Sequence, residues 1–460
     1  MPAIGPPTWI YDVRAEADGP PPEHLVLTID GAFAPSESDT FSVDEESAPF
    51  VHRLEYSTPG GDLLPAAQDG SHWTVPCRVA GCRVRYRFDL SEAASALDDT
   101  TAASAGGVIV APPSAWLLRP FSAAQGLAPP GRFRFRVRTH PGVGFASGTD
   151  HAPGGDDDEF ESAVGALDGA SFAAFGALHL TAFESGNSHV DVAIAQRGLP
   201  LDDADTTEWI QRAVTGIAGY YGRFPVRRTL VIVIPGVERE TMGVTLGEGG
   251  PSILVRVGAR LTPDRVRDDW VVTHELLHVT LPSLGRTHAW LEEGIATYVE
   301  PIIRARQGLV TPAQFWRDLV ENVPKGLPQA GDEGLEKTHT WARTYWGGAL
   351  FCLLADLRIR ERTHDARSFD DVLRGVAATG ADVETRWPIE RFVETGDRAT
   401  HTAVLTELYR EMALAPGGVD LQALWSRLGI RLGGGAVSFD DGAPLARSRR
   451  AITAPMRDPN

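Results

Sequence analysis

The chain has 460 residues, 43% of them hydrophobic, enough to bury a sizeable core and to form two or three domains at roughly 150 residues each. A formal net charge of -18, with Lys325 and Lys337 the only lysines, argues against a nucleic-acid surface, because binding phosphates needs clustered positive charge. No apolar run reaches the roughly 18 to 20 residues of a membrane-spanning helix, and the N-terminus lacks a basic region followed by an apolar core. The sequence as it stands is therefore expected in the cytoplasm, or in the periplasm or outside the cell if a leader precedes it.

From Pro7 to about Arg197 the pattern is that of strands. "EHLVLTIDGAF", "HWTVPCRVAGCRVRYRFDL", "GRFRFRVRTH", "FGALHLTAF" and "HVDVAIAQRG" alternate or carry short β-branched and aromatic runs, punctuated by Gly, Pro, Asp and Ser. This predicts a β-sandwich-like domain over residues 1–197. Asp98–Gly107 and Ser147–Glu161 read as surface loops, and the acidic run Asp156–Glu159 as a solvated segment without the regular spacing of a calcium site. Cys77 and Cys82 bracket four residues and can bridge a hairpin in an oxidising compartment, whereas Cys352 lies in an apolar helical pattern as a buried thiol.

Beyond about residue 198 the period changes from 2 to 3.6. "DADTTEWIQRAVTGIAGYYG" reads as a helix, "RRTLVIVIP" and "SILVRVG" as strands, and helices then dominate to near residue 430. Residues 198–460 are thus expected to form a second, mainly helical domain with a small sheet, giving an α+β chain overall.

One helix, "TPDRVRDDWVVTHELLHVTL", carries chemistry. Residues four apart share a helix face, so the imidazoles of His274 and His278 can reach one tetrahedral ion, with Glu275 projecting beside it to take a proton from a water that zinc would activate. A coincidental pair of histidines on an amphipathic helix is the competing reading. A catalytic zinc needs a third protein ligand and an open fourth position. The next helix, "HAWLEEGIATYVEPIIRARQ", offers Glu292 and Glu293; His288 stands at the turn before it. Leu284 occupies the place where a metzincin requires histidine. Glu300, seven residues after Glu293, shares its face and can either orient a ligand histidine or pair with a neighbouring cation.

"HELLH" followed by "WLEEGIATYVE" resembles the gluzincin metallopeptidases, specifically the glycyl aminopeptidase and aminopeptidase N families. The resemblance implies zinc ligands His274, His278 and Glu293, general base Glu275, one Zn2+ per chain, and a thermolysin-like catalytic domain behind the β-rich one. Glu292 then fills a variable position as a bystander. Downstream, "RTYWGGALFCLLADLRIRERT" resembles the families' tyrosine-bearing helix, which implies that Tyr345 donates a hydrogen bond to the oxyanion. Upstream, "YYGRFPVRRTLVIVIP" resembles the strand entry of the glycyl group, whose C-terminal PDZ module is not expected here.

Three departures accompany the resemblance. Only 14 residues separate His278 from Glu293, implying a trimmed loop and a more open cleft. The tyrosine segment reads Y-W-G-G, without the Lys that commonly precedes the second Gly. The substrate-edge region reads "MGVTLGEGGPSILV", where Gly247, Gly249 and Gly250 would admit a peptide backbone and Glu248 is the carboxylate available for its amino group. The expected function is zinc-dependent hydrolysis of a peptide or protein substrate, with aminopeptidase action implied by the resemblance. The alternatives are an endopeptidase, and a zinc-binding pseudo-peptidase that holds a peptide or partner without turnover.

Overall fold

In the computed structural model, which describes residues 8–17, 24–36, 38–97, 102–121, 131–433 and 436–455, the alternating stretches of the N-terminal half become strands. Seven of them form one sheet in the order Glu159–Ala163, Arg132–Thr139, Trp9–Ala17, Leu25–Phe33, Cys82–Asp89, Val51–Ser57 and Leu64–Pro65. Trp9–Ala17 pairs parallel with Arg132–Thr139 and antiparallel with Leu25–Phe33. Period-2 burial turns Tyr11, Leu27, Tyr86 and Phe133 inward, where they share a core with Phe41 and Trp73 of one four-stranded sheet and Phe175 of another. The two buried tyrosine hydroxyls donate to main-chain carbonyls, Tyr11 to Leu118 at 2.9 Å and Tyr86 to Trp116 at 2.7 Å, so neither is left unpaired in apolar surroundings.

Cys77 and Cys82 are joined in a disulfide at the entry to Cys82–Asp89. The acidic run is held by arginine: Arg136 pairs with Asp156 at 2.8 Å, Asp158 at 3.3 Å and Glu159 at 2.6 Å, so its charge is answered by the neighbouring strand. Of the loop expected over residues 98–107, residues 98–101 lie outside the described residues, and Ala103–Ala105 is a strand paired with Val108–Val110.

A five-stranded sheet follows in the order Leu178–Ser185, Ser188–Ala195, Arg228–Pro235, Ser252–Val257 and Met242–Leu246, parallel at its centre and antiparallel at the Met242–Leu246 edge. The run Leu230–Ile234 is buried throughout, as expected for parallel strands covered on both faces. The chain packs as two compact units that interleave along the sequence. One comprises Met1–Phe183, His189–Thr207 and Arg228–Val266, and the other Glu184–Ser188, Glu208–Arg227 and Arg267–Asn460. The strands Arg228–Pro235 and Ser252–Val257, expected with the helical half, thus pack with the β-rich residues. Their apolar side chains meet Val108, Val110, Phe172 and Ala174.

The helix expected over residues 262–281 is broken, and the division between the two units falls within it, between Val266 and Arg267. Pro263–Arg267 is a short turn of its own, and the motif helix α1 spans Val271–Val279, its first N–H donating to Asp269 Oδ1 at 2.8 Å. Helix α2 spans Ala289–Arg306 and helix α3 spans Gly348–Thr363, preceded by a single π turn, Arg343–Gly347. The helices α2 and α3 touch through glycine. A Cβ on Gly294 would stand 2.4 Å from the Gly348 carbonyl carbon, and one on Gly348 would stand 2.0 Å from the Trp290 oxygen. A buried polar chain ties the same helices together. Tyr298 donates to Asp356 at 2.9 Å, Arg360 donates to Asp356 at 2.9 Å, and the N–H of Phe369, which opens helix α4 (Phe369–Ala377), donates to it as well. Among the described residues no helix is long and apolar enough to cross a membrane.

Candidate metal centre

Helix α1 is buried almost throughout, with Val271, Val272, Leu276, Leu277 and Val279 in the core. That burial fixes the helix rotation and leaves His274, Glu275 and His278 together on the remaining face. Helix α2 brings Glu293 opposite them. His274 Nε2 lies 3.3 Å and His278 Nε2 3.5 Å from the same oxygen, Glu293 Oε2, and the two imidazole nitrogens are 3.2 Å apart.

Those three edges match a metal's needs. Tetrahedral donors at about 2.0–2.1 Å from zinc stand about 3.3–3.4 Å from one another. Two imidazole nitrogens turned toward one carboxylate oxygen, on two buried helices, form a donor set of the His2Glu type, which suits zinc. In the protein alone the carboxylate serves the imidazoles directly. Burial works against the charged forms, but the contact to Glu293 outweighs it and pushes His278 up to about 9. Burial would raise Glu293 too, yet its hydrogen bonds from both histidines hold it well below the usual carboxylate range.

Tyr345 belongs to the π turn before α3, and the Gly294–Gly348 contact brings that turn against α2, close enough for the charge of Glu293 to act on its phenol. Burial, together with the negative charges of Glu293 and Glu275, pushes its phenol up to about 12, so it keeps its proton at neutral pH.

The remaining candidates divide. Glu292 points to the loop between the ligands and accepts the N–H of Leu284 at 2.5 Å, and it is not among the clustered donors. His288 pairs with Glu336 at 2.8 Å, and Glu336 also accepts from Trp290 Nε1 at 3.1 Å; this histidine is not among the clustered donors. Glu300 is buried and pairs with Arg304 at 3.2 Å. Gly247–Gly250 link Met242–Leu246 to Ser252–Val257 in the β-rich unit. There the Glu248 carbonyl accepts from Ser171 N at 2.8 Å, and its carboxyl packs on Gly169. Gly249 and Gly250 have φ of 82° and 140°, and a Cβ on Gly250 would meet the Gly148 oxygen at 1.9 Å, so local packing alone demands glycine.

The sequence reading overlooked the Glu292–Leu284 hydrogen bond, the Asp269–Val271 hydrogen bond and the glycine crossing. The pairs "EEG" and "GG" were visible as signals for the last of these, since two helices approach closely only where side chains are absent.

No family model matches the chain, nor does any of the curated proteins. Solved structures do. It is similar to an aminopeptidase N family protein from Idiomarina loihiensis at 11% identity and a TM-score of 0.65, over 92% of this chain and 78% of that one. It is also similar to a mutant of an M1 zinc metallopeptidase from Deinococcus radiodurans, at 17% identity and a TM-score of 0.50, over 89% of this chain and 95% of that one. The same mutant bound to a Tyr-Ser-Ala substrate matches at 16% identity and a TM-score of 0.50, over 90% of this chain and 96% of that one. At these identities the likeness is one of fold: a mixed α and β architecture of the kind seen in two-domain M1 metallopeptidases.

Proposed function

We propose that the chain is a zinc-dependent metallopeptidase, acting as an aminopeptidase, with His274, His278 and Glu293 as ligands, Glu275 as general base and Tyr345 as oxyanion donor. The observation that carries the reading is the triangle of donor atoms at 3.2, 3.3 and 3.5 Å. The fold likeness to M1 zinc metallopeptidases supports it, and the Tyr-Ser-Ala complex of one of them supports a peptide substrate. Zinc bound to these three residues would supply a Lewis acid that polarises the peptide carbonyl and acidifies a water.

The chain's own groups do the rest. Glu275, one residue from His274 on the buried face of α1, takes the water's proton and passes it to the leaving amine. The Tyr345 O–H, held protonated, donates to the oxygen on which charge develops. Residues 198–460 are the proposed catalytic portion and residues 1–197 the proposed accessory domain.

Glu275→Gln tests the mechanism. It is expected to lower kcat by at least about 10^2- to 10^4-fold while zinc content stays near one per chain. Hydrolysis that survives in the zinc-loaded variant would defeat the assignment of the base. Free-amine peptides are expected to be cleaved and their N-terminally blocked counterparts spared; equal rates would make the enzyme an endopeptidase.

A further inference from the structure

Of the chain's 11 tryptophans only Trp270 and Trp341 are exposed, by 47% and 62%, and both stand on the centre described above. Trp270 opens α1 four residues before His274 and meets its imidazole edge-on, ring centroids 5.1 Å apart. Trp341 precedes Tyr345 by four residues and stacks on its phenol at 5.5 Å and 27°. Leaving an indole in water is unfavourable, and a folded chain ordinarily buries most of it, as the other nine here are buried or half-buried. Two exceptions, each touching a different residue of one site, call for an occupant.

We propose that Trp270 and Trp341 are side-chain plates of the substrate site, on which bulky apolar residues flanking the scissile bond pack. The substrate class is then peptides carrying Leu- to Phe-sized side chains at that bond. The inference rests on the peptidase reading and deepens it. A carbonyl that reaches Tyr345 brings its own side chain to within about one residue step, roughly 3.4 Å along an extended peptide, of the ring that Trp341 covers. Successive residues of such a peptide send side chains to opposite sides, which suits one plate beside Tyr345 and another beside His274. Neither indole can offer a hydrogen-bond pattern that reads a polar side chain, because each has one N–H and no acceptor. What they offer is area and a π face.

The experiment uses the full-length, zinc-loaded protein. Dissociation constants are measured on Glu275→Gln for free-amine tripeptides with Ala, Leu, Phe or Arg on either side of the bond, and kcat/KM is measured on the native chain for the same set. Phe is expected to exceed Ala by tenfold or more, within the 10- to 200-fold range of apolar pockets. Trp270→Ala and Trp341→Ala should each remove that preference at a different position of the peptide, and Trp270→Phe and Trp341→Phe should restore most of it. A Phe-over-Ala ratio below about twofold, a ratio unmoved by both Ala variants, or Arg bound better than Phe through the π faces would each overturn the proposal. The binding constants keep the two ideas apart. Preferential binding without any cleavage by the native chain would sink the peptidase reading and leave the plates, whereas cleavage without preference would do the reverse.

Discussion

At the scale of single residues, Tyr345 and Glu292 show how burial prepares a group for its task. The phenol is pushed up to about 12 by burial and by the charges of Glu293 and Glu275, so its O–H is present at neutral pH and available to donate to the proposed oxyanion. Tyr345→Phe is expected to lower kcat by about 10^2- to 10^3-fold with little change in KM or zinc content, read from steady-state kinetics on a short peptide. A KM effect without a kcat effect would recast the tyrosine as a binding group. Glu292 is raised by burial and lowered by the N–H of Leu284 that it accepts. Glu292→Ala strips the buried Leu284 amide of its partner and should cost roughly 1–3 kcal/mol, seen as a lower denaturant midpoint. An unchanged midpoint would show that water takes over the amide.

At the scale of elements, the contact between α2 and α3 decides which side chains meet. Because Gly294 and Gly348 lack Cβ atoms the backbones come together, and Glu293 and Tyr345, one and three residues from those glycines, become neighbours. The Tyr298–Asp356–Arg360 chain then holds the two helices in that relation. Further along α2, burial pushes Glu300 up to about 7 against the pull of Arg304. A carboxyl raised above its unfolded value near 4.5 favours the folded protein fully below that pH and loses the contribution as pH rises through about 7. Glu300→Gln should therefore flatten the pH dependence of stability between those values, closing a difference of up to roughly 3 kcal/mol. Parallel curves for the two proteins from pH 4 to pH 8 would refute this.

On the whole-molecule scale, an ion held by α1 and α2 binds the folded chain and not the unfolded one, so it stabilises by mass action. At a thousandfold excess over Kd the gain is about 4 kcal/mol. Chelation should lower the Tm by several degrees, zinc should restore it, and His278→Ala should respond to neither. A Tm indifferent to chelator in the native chain would count against a bound metal.

The sequence by itself determined what local periodicity can carry. A strand-patterned first half, a helical second half, His274 and His278 on one face and Glu275 beside them all follow from periods of 2 and 3.6 that need no distant partner. The breaks in the pattern were harder to see: Pro263–Arg267 and α1, which starts only at Val271, are separate helices. Periodicity left open which carboxylate faces the imidazoles; the resemblance implied Glu293, and the packing of the helices is what brings it there. Glu292 and Glu293 differ by one residue and so point about 100° apart on a helix, and which of them meets α1 depends on how the helices pack. Glu293 meets His274 and His278, Glu292 turns to Leu284, and His288 is taken by Glu336, from a segment 48 residues away. The same holds for the two open tryptophans, since exposure is a property of what else reaches a side chain and no local pattern records it.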